Sequence, residues 1–573
     1  MNKQYFQVCL CFRRKFKICM ADPPEDVKSL FNQYSENGNV MTIDELLTFL
    51  KEAQGEEHAT KEHAQAIFDS LKHLKMFRRN GFHLLSFFSY LLSDHNLVIS
   101  REPKVHHDMT APLAHYFLFT GHNSYLTGNQ LSSDSSVVPI IKALQKGVRA
   151  IELDLWPNSS KDDVEVLHGG TLTSPVKLEE CLKAIKEHAF EASEYPVVIT
   201  FEDHLPQNLQ AKVAKMVVKT FGDMLFRPQS EYLMEFPSPA SLKRKVMIST
   251  KPPEYPNSYS MRDLDDHQFK DDDEDDEDSR RRETNQNFED PDEVQDDEEE
   301  NKVPEYKELI AIHAGKPKGS TNIWAIDPIK VRRLSLSEQE LENATRTQGS
   351  EIVRFTQKNL LRIYPKGIRF DSSNYNPMLG WMHGAQMVAF NMQGYGKYLW
   401  IMEGMFRANG RCGYVKKPNF LLDVGPNNEV FDPRETHPVK TVLKVKVYLG
   451  EGWHSDFRHT HFDLYSPPDF FVKLGIVGVP RDTATKRTKA IEDQWVPVWN
   501  EEFEFPLSIP ELAVLRIEVL EYDTSGNPDF GGQTCLPVSE LKTGIRSVPL
   551  HNRKGEIYKS VRLLMSFEFT HGH

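Results

Sequence analysis

Residues 148–170, VRAIELDLWPNSSKDDVEVLHGG, constrain the fold of this chain more than any other stretch. Two apolar segments, 148–155 and 164–167, read as strands. The first carries Glu152 and Asp154 near its C-terminal end, and His168 closes the second. Side chains two apart on a strand share a face, so both carboxylates point one way while Ile151, Leu153 and Leu155 point the other. Flanking runs repeat the arrangement: residues 116–119 lead to His122 and Asn123, and residues 197–201 lead to Glu202. In a half-exposed antiparallel sheet such acids would simply face water. Successive apolar strands that each end in chemically capable side chains instead fit a closed parallel barrel, whose strand C-termini converge on one mouth.

Helical candidates at 138–145, 178–192 and 209–221 alternate with these strands, the βα pattern of such a barrel. A fifth strand, 246–249, runs into Lys251. Residues 254–302 then hold 22 acidic and 6 basic residues with almost no apolar periodicity, and read as a disordered linker. That segment carries a net charge of −16 against −14 for all 573 residues, so the remainder is slightly basic and anionic partners are not excluded. Beyond it, residues 361–367, 385–393 and 412–418 offer three more strands. With the five before the linker they make eight, the number that closes a barrel.

From about residue 437, Leu443, Val445, Val447 and Leu449 interleave with Lys444 and Lys446, and later apolar runs are separated by Pro, Gly and Asp clusters. That spacing predicts an antiparallel β-sandwich. At the other end, VKSLFNQY, IDELLTFLKEA and FHLLSFFSYLL show helical spacing. The segment YSENGNVMTIDELL resembles an EF-hand whose loop has lost its D-x-[DN]-x-[DN]-G ligand pattern, which leaves it a packing role. Residues 1–20 set Cys9, Cys11 and Cys19 beside Arg13, Arg14, Lys15 and Lys17. They read as an unordered tail, with acylation beside anionic lipid as the second reading. Six cysteines in so long a chain do not make a disulfide framework, which points to a reducing compartment. No run approaches the roughly 20 apolar residues of a membrane span, so any membrane contact would be peripheral.

The motifs GHNSYLTGNQL, ELDLWPN, LHGGTLTSP, TFEDH, LKRKVMISTKP, RRLSLSE, LLRIYPKG, SSNYNP and FGGQTCLP together resemble the X and Y catalytic boxes and the C2 domain of phosphoinositide-specific phospholipase C. The match is to the short plant type, with a truncated EF-hand region and no pleckstrin-homology domain, and it runs from about residue 24 onward. It implies a multidomain chain: an N-terminal tail (1–23), an α-helical EF-hand-like region (24–105), a split α/β TIM barrel in X (106–251) and Y (306–430) halves around an acidic linker (252–305), and an all-β C2 sandwich (431–573).

The resemblance places the catalytic centre at His122, Asn123, Glu152, Asp154, His168 and Glu202. The residue chemistry agrees, because Asn123, Glu152, Asp154 and Glu202 are all oxygen donors, which suit a hard cation such as Ca²⁺ and not zinc. By resemblance His122 would stabilise the pentacoordinate phosphoryl state and His168 would protonate the diacylglycerol leaving oxygen, while Glu152 is assigned the base that accepts the inositol 2-hydroxyl proton. Lys251, Ser335, Arg362 and Tyr364 would hold the headgroup. Ser249 stands where the animal pattern has a second lysine, and this predicts a weaker preference for the more phosphorylated headgroups. In the sandwich, Asp463 and Asp469 on one loop and Asp523 and Asp529 on another match C2 calcium ligands.

The expected protein is therefore a calcium-dependent phosphoinositide phospholipase C, cytoplasmic and peripheral at the plasma membrane, releasing diacylglycerol and an inositol phosphate. Its partners would be phosphoinositide lipids and an anionic membrane surface, with no nucleic acid and no obligate protein partner. Two other readings are a glycerophosphodiester hydrolase, which would need neither a split barrel nor a C2 domain, and a catalytically silent calcium-dependent membrane adaptor. The adaptor reading predicts loss of a histidine or metal ligand, and none is missing.

Overall fold

The structure, a computed structural model, describes residues 2–9, 12–18, 21–35, 38–71, 82–100, 104–230, 232–253, 304–315, 322–458, 461–462, 465–523 and 527–571. Its centre is built from eight short strands: β1 (Thr120–Gly121), β2 (Ala150–Pro157), β3 (Val197–Asp203), β4 (Val246–Thr250), β5 (Ile310–His313), β6 (Arg333–Ser337), β7 (Leu360–Tyr364) and β8 (Met387–Phe390). Successive strands pair in parallel from β1 to β5 and from β6 to β8, and β8 returns to β1. A single parallel bridge from Ala314 to Arg333 joins the two halves and closes the barrel.

Alternation along each strand sorts the side chains. Ile151, Leu153, Leu155, Ile199, Phe201, Ile248, Leu334, Leu336, Leu361 and Ile363 face outward into one core shared with the helices Val137–Gln145, Leu178–His188 and Gln207–Phe221. Ala150, Val198, Met247, Leu360 and Met387 belong to a separate apolar plug. Beyond that plug, Glu152, Asp154, Arg333 and Arg362 are buried polar residues. The barrel is thus apolar toward its strand N-termini and polar toward its C-termini, where chemistry is found in this architecture.

The expected strand count is right in number but wrong in membership. Residues Val164–Val166 pair antiparallel with the end of β2 as a hairpin outside the barrel; the six-residue connection is too short for a parallel crossover. Tyr414–Lys416 pairs antiparallel with Tyr116–Leu118, also outside the barrel. Their places are taken by β5 and β6, and the first barrel strand is Thr120–Gly121, just beyond the expected 116–119.

Four N-terminal helices, Glu25–Tyr34, Ile43–Glu52, Lys61–Ser70 and Leu84–Leu91, share a core with Tyr448, Leu449, Ile545 and Leu564 of the sandwich. The EF-hand-like region thus packs against the C-terminal domain. Buried Arg546 anchors this contact, donating to Glu56 at 2.7 Å. In place of the expected unordered tail, Asn2–Cys9 and Phe12–Ile18 form an antiparallel hairpin, and Phe16 packs against the sandwich core. The second strand alternates Phe12, Arg14, Phe16 and Ile18 with Arg13, Lys15 and Lys17, a period of two that suits a strand. The acidic segment lies outside the described residues.

The sandwich has eight antiparallel strands between Thr441 and His571. It docks on the barrel through the helix Lys397–Met405, where Gly404 sits so close to Cys535 that a Cβ would come within 2.6 Å of the cysteine Cβ. Beside it Arg407 donates to Thr534 Oγ1 at 2.8 Å and to His551 Nε2 at 3.1 Å. Among the described residues no helix is long and apolar enough to cross a membrane.

Candidate active site

Strand register brings the acids together. Asp154 on β2 lies opposite Glu202 on β3, and Glu152 lies opposite Thr200, so the two strands present their carboxylates to the same side. Donor oxygens of Glu152, Asp154 and Glu202 fall within 4.8 Å of one another. Glu152 and Asp154 are buried, whereas Glu202 is exposed and pairs with His204 at 3.2 Å. Glu152 accepts from the Asn123 N–H at 3.1 Å and is ion-paired with Arg362 on β7. Asp154 Oδ2 accepts from the Tyr125 hydroxyl at 2.7 Å, while its buried Oδ1 has no hydrogen-bond partner among the described residues.

These positions set the charges. Burial, reinforced by Glu202 and Glu152, pushes Asp154 well above the usual carboxylate range. A hydrogen bond from His204 holds Glu202 below it. Burial also lowers His122, against the pull of Glu152. An orphaned carboxylate oxygen inside an all-oxygen donor set is a group that a hard divalent cation would satisfy. Glu152, Asp154 and Glu202 therefore fit Ca²⁺, with Asn123 beside them through its N–H to Glu152.

The two histidines are oriented through two residues that the sequence reading left unassigned, Asn391 and Gln130. His122 Nδ1 lies 3.0 Å from Asn391 Oδ1, and His168 Nδ1 lies 2.7 Å from the Gln130 carbonyl. Carbonyl oxygens only accept, so both Nδ1 atoms carry the proton and each Nε2 is left for other partners. Buried Gln130 links the set: its Oε1 accepts from Asn123 Nδ2 at 3.0 Å, and its Nε2 donates to Asn391 Oδ1 at 3.1 Å and Ser372 Oγ at 2.8 Å. The His168 loop needs its glycines. A Cβ on Gly169 would come within 2.0 Å of the Trp156 ring, and Gly170 has φ +69°.

A cleft of about 800 Å³ opens over this centre, lined among others by His122, Glu152, Glu202, Lys251, Ser335, Arg362 and Tyr364. Ser335 and Arg362 are paired in register on β6 and β7, with Ser337 and Tyr364 paired two residues further on. The structure thus gathers the four expected headgroup residues at the cleft. Asn123 and Asp154 lie buried, and His168 is close enough to influence the His122 charge. Ser249 is fully buried and donates to the Ile312 carbonyl at 3.1 Å, so it does not line the cleft. Arg333, which no motif singled out, does.

Exposed Leu131, Leu172, Ile368 and Phe370 lie near these residues, with three loops held together by Leu172 N–H donating to the Leu131 carbonyl and Gln130 N–H to the Phe370 carbonyl, both at 2.8 Å. In the sandwich, Asp469 and Asp523 line one cleft of about 650 Å³. Asp529 is exposed and stands opposite Glu521 at a strand end, and Asp463 lies outside the described residues. Among the described residues the sandwich contains no three-acid group as tight as that in the barrel.

A barrel whose mouth joins clustered carboxylates, paired histidines and basic side chains, docked on an antiparallel sandwich, is the architecture of a phosphodiesterase acting at phosphate-bearing lipids. Family models match in chain order: phosphoinositide-specific phospholipase C, efhand-like, over residues 20–100; phosphatidylinositol-specific phospholipase C, X domain, over 109–252, and Y domain, over 325–420; and C2 domain over 441–552. The chain belongs to the phosphoinositide phospholipase C family of phosphodiesterases. It is 58% identical to phosphoinositide phospholipase C 2 of Arabidopsis thaliana over the full length of both proteins. With the 1-phosphatidylinositol 4,5-bisphosphate phosphodiesterase delta-3 of Mus musculus the identity is 33%, over 92% of this chain and 66% of that protein. The crystal structure of L. pealei PLC21 superposes with a TM-score of 0.74 at 25% identity, covering 96% of this chain and 69% of the other.

Proposed function

We propose that this chain hydrolyses the phosphodiester bond of phosphatidylinositol phosphates, phosphatidylinositol 4,5-bisphosphate among them, to diacylglycerol and the inositol phosphate in a calcium-dependent reaction. The observation that carries the reading is the division of one cleft into an oxygen-donor cluster with two oriented histidines and a wall bearing Lys251, Ser335, Arg362 and Tyr364. Calcium held by Asn123, Glu152, Asp154 and Glu202 would lower the pKa of the inositol 2-hydroxyl and offset charge on the phosphoryl oxygens.

Glu152, fixed by the Asn123 N–H and Arg362, takes the 2-hydroxyl proton as that oxygen attacks phosphorus. The bond to the glycerol oxygen breaks, and His168, held through Nδ1 by the Gln130 carbonyl and entering the step as the imidazolium, delivers its second proton from Nε2 to the leaving oxygen. His122, held through Nδ1 by Asn391, takes up a second proton at Nε2 once the anionic diester is bound, and that N–H donates to the phosphoryl oxygen and stabilises its developing charge. Attack by a neighbouring hydroxyl yields a cyclic phosphodiester, which water then opens by the same groups acting in reverse.

The apolar residues Leu131, Leu172, Ile368 and Phe370 would enter the lipid surface as the cleft engages a headgroup. Calcium held at Asp469, Asp523 and Asp529, with Asp463, would join the sandwich to anionic lipid. The protein would then act as a peripheral enzyme at the cytoplasmic face of the plasma membrane. His122→Gln and His168→Gln test the catalytic reading. Each should lower turnover by about 10²–10⁴-fold with calcium-dependent vesicle binding intact, and near-normal turnover in either would remove that histidine from the mechanism.

A further inference from the structure

Arg332 and Arg333 are adjacent and buried, yet they meet opposite surroundings. Arg332 donates to the carbonyls of Gly315, Ile323 and Ala325 at 2.8–3.0 Å. Arg333 lines the active-site cleft at 5% exposure, and among the described residues its Nε and Nη1 have no hydrogen-bond partner. Two other buried arginines are matched: Arg149 by the carbonyls of Leu144, Val148, Ala189 and Ser193, and Arg546 by Glu56 and the Gln54 carbonyl, while Arg362 has its ion pair with Glu152. Leaving a buried guanidinium unmatched is costly. Such a group is retained where a ligand anion completes it.

Its neighbours indicate which part of the ligand it meets. Arg333 sits two residues before Ser335 on the same face of β6, and Ser335 is in register with Arg362. Arg362 is already committed to Glu152, so part of its charge is neutralised within the protein. Glu152 and Glu202 act on Arg333 from a distance, but burial and the like charge of Arg362 outweigh them and bring its pKa down to about 9. The diester end of the cleft is supplied by β1–β3, whereas Arg333 rises from the opposite wall with Ser335, Arg362 and Tyr364. Ser249 brings no charge to the cleft.

We infer that Arg333 is a specificity-determining residue that binds a monoester phosphate on the inositol ring, so that the chain favours phosphorylated headgroups although Ser249 provides no lysine. This rests on the phospholipase reading above. A dianionic phosphate could accept from the guanidinium fork, whether borne by a lipid headgroup or free in solution; the lipid headgroup is the assigned source.

The test uses the full chain and its variants Arg333→Lys and Arg333→Met, with calcium saturating, on vesicles containing either phosphatidylinositol or phosphatidylinositol 4,5-bisphosphate. For Arg333→Met the ratio of kcat/KM on the bisphosphate to that on phosphatidylinositol should fall about 10- to 100-fold, the effect of losing a charge-assisted contact. Arg333→Lys, which keeps the charge but not the fork, should fall between. An unchanged ratio, or an equal loss on both lipids, would overturn the assignment. Thermal shifts with soluble inositol 1,4,5-trisphosphate and with inorganic phosphate separate the sources. The wild-type chain should respond to the inositol phosphate, Arg333→Lys should respond less, and an equal wild-type response to inorganic phosphate would overturn the headgroup assignment. If the wild-type chain cleaved neither lipid, the functional reading would fail while these shifts still decided the fate of Arg333.

Discussion

Replacing Gln130 with methionine removes the hub of the site at nearly constant volume. Three side-chain hydrogen bonds disappear: from Asn123 Nδ2 at 3.0 Å, to Asn391 Oδ1 at 3.1 Å and to Ser372 Oγ at 2.8 Å. The three partners are not equally harmed. Ser372 Oγ still donates to the Gly128 carbonyl and Asn391 Oδ1 still receives His122 Nδ1, whereas buried Asn123 Nδ2 is left with no other hydrogen-bond partner among the described residues. Two of the bonds contribute about 1 kcal/mol each net, and the orphaned buried donor costs about 1–3 kcal/mol, so the fold should lose roughly 3–5 kcal/mol. The effect on turnover should be larger than this suggests, because Asn123, the proposed calcium ligand, and His122, the proposed catalytic histidine, lose their orientation together. A displacement near 1 Å costs about 10²-fold. Kinetics on phosphatidylinositol 4,5-bisphosphate vesicles well below the melting temperature separate the two effects: kcat should fall about 10²-fold with KM little changed, and Gln130→Glu, which retains an acceptor for Asn123, should recover part of it. A variant that melts earlier yet keeps kcat within about threefold would reduce Gln130 to a packing residue.

Three further outcomes are expected. Asp523→Asn with Asp529→Asn should raise the calcium needed for half-maximal binding to anionic vesicles by roughly tenfold or more, and an unchanged calcium response would place the switch outside these loops. His551, held down to about 3 by burial beside Arg407, stays neutral in the folded chain while the unfolded chain takes up a proton below its ordinary value near 6.5. Stability is therefore complete above that pH and falls by about 1.4 kcal/mol per unit below it, about 2 kcal/mol by pH 5. The stability difference between wild type and His551→Asn should move by this amount in favour of the variant between pH 7 and 5 in chemical denaturation, and a constant difference would contradict the assignment. Deleting residues 263–300, within the segment of net charge −16 that follows Lys251 in the chain, should raise activity on anionic vesicles. The gain should shrink as salt shortens the roughly 8 Å screening length, and equal activity at low salt would remove any regulatory role.

What could be read from the sequence depended on how each strand divides its two faces. On β2 the outward Ile151, Leu153 and Leu155 contrast with inward Glu152 and Asp154, so alternation revealed both the strand and its acids. On β6 the inward positions are Arg333 and Ser335, which leaves too little apolar sequence to suggest a barrel strand. The same polarity concealed Arg333, although RRLSLSE was in view. Thr120–Gly121 was missed because two residues show no period. Asn391 follows the apolar strand β8 just as His122 follows β1, so the rule that drew attention to the first acids would also have found it. Gln130 and the exposed loop residues Leu131 and Phe370 were not recoverable in this way, since loops brought together only by the closed barrel leave no local periodicity.

The most direct measurement is release of water-soluble inositol phosphate and of diacylglycerol from phosphatidylinositol 4,5-bisphosphate vesicles across a calcium titration, for the wild-type chain and Asp154→Asn. The two products should appear in equal amounts, rise with calcium and vanish on chelation, and Asp154→Asn should need more calcium or lose turnover altogether. Turnover indifferent to chelation, or phosphatidic acid in place of diacylglycerol, would contradict the account.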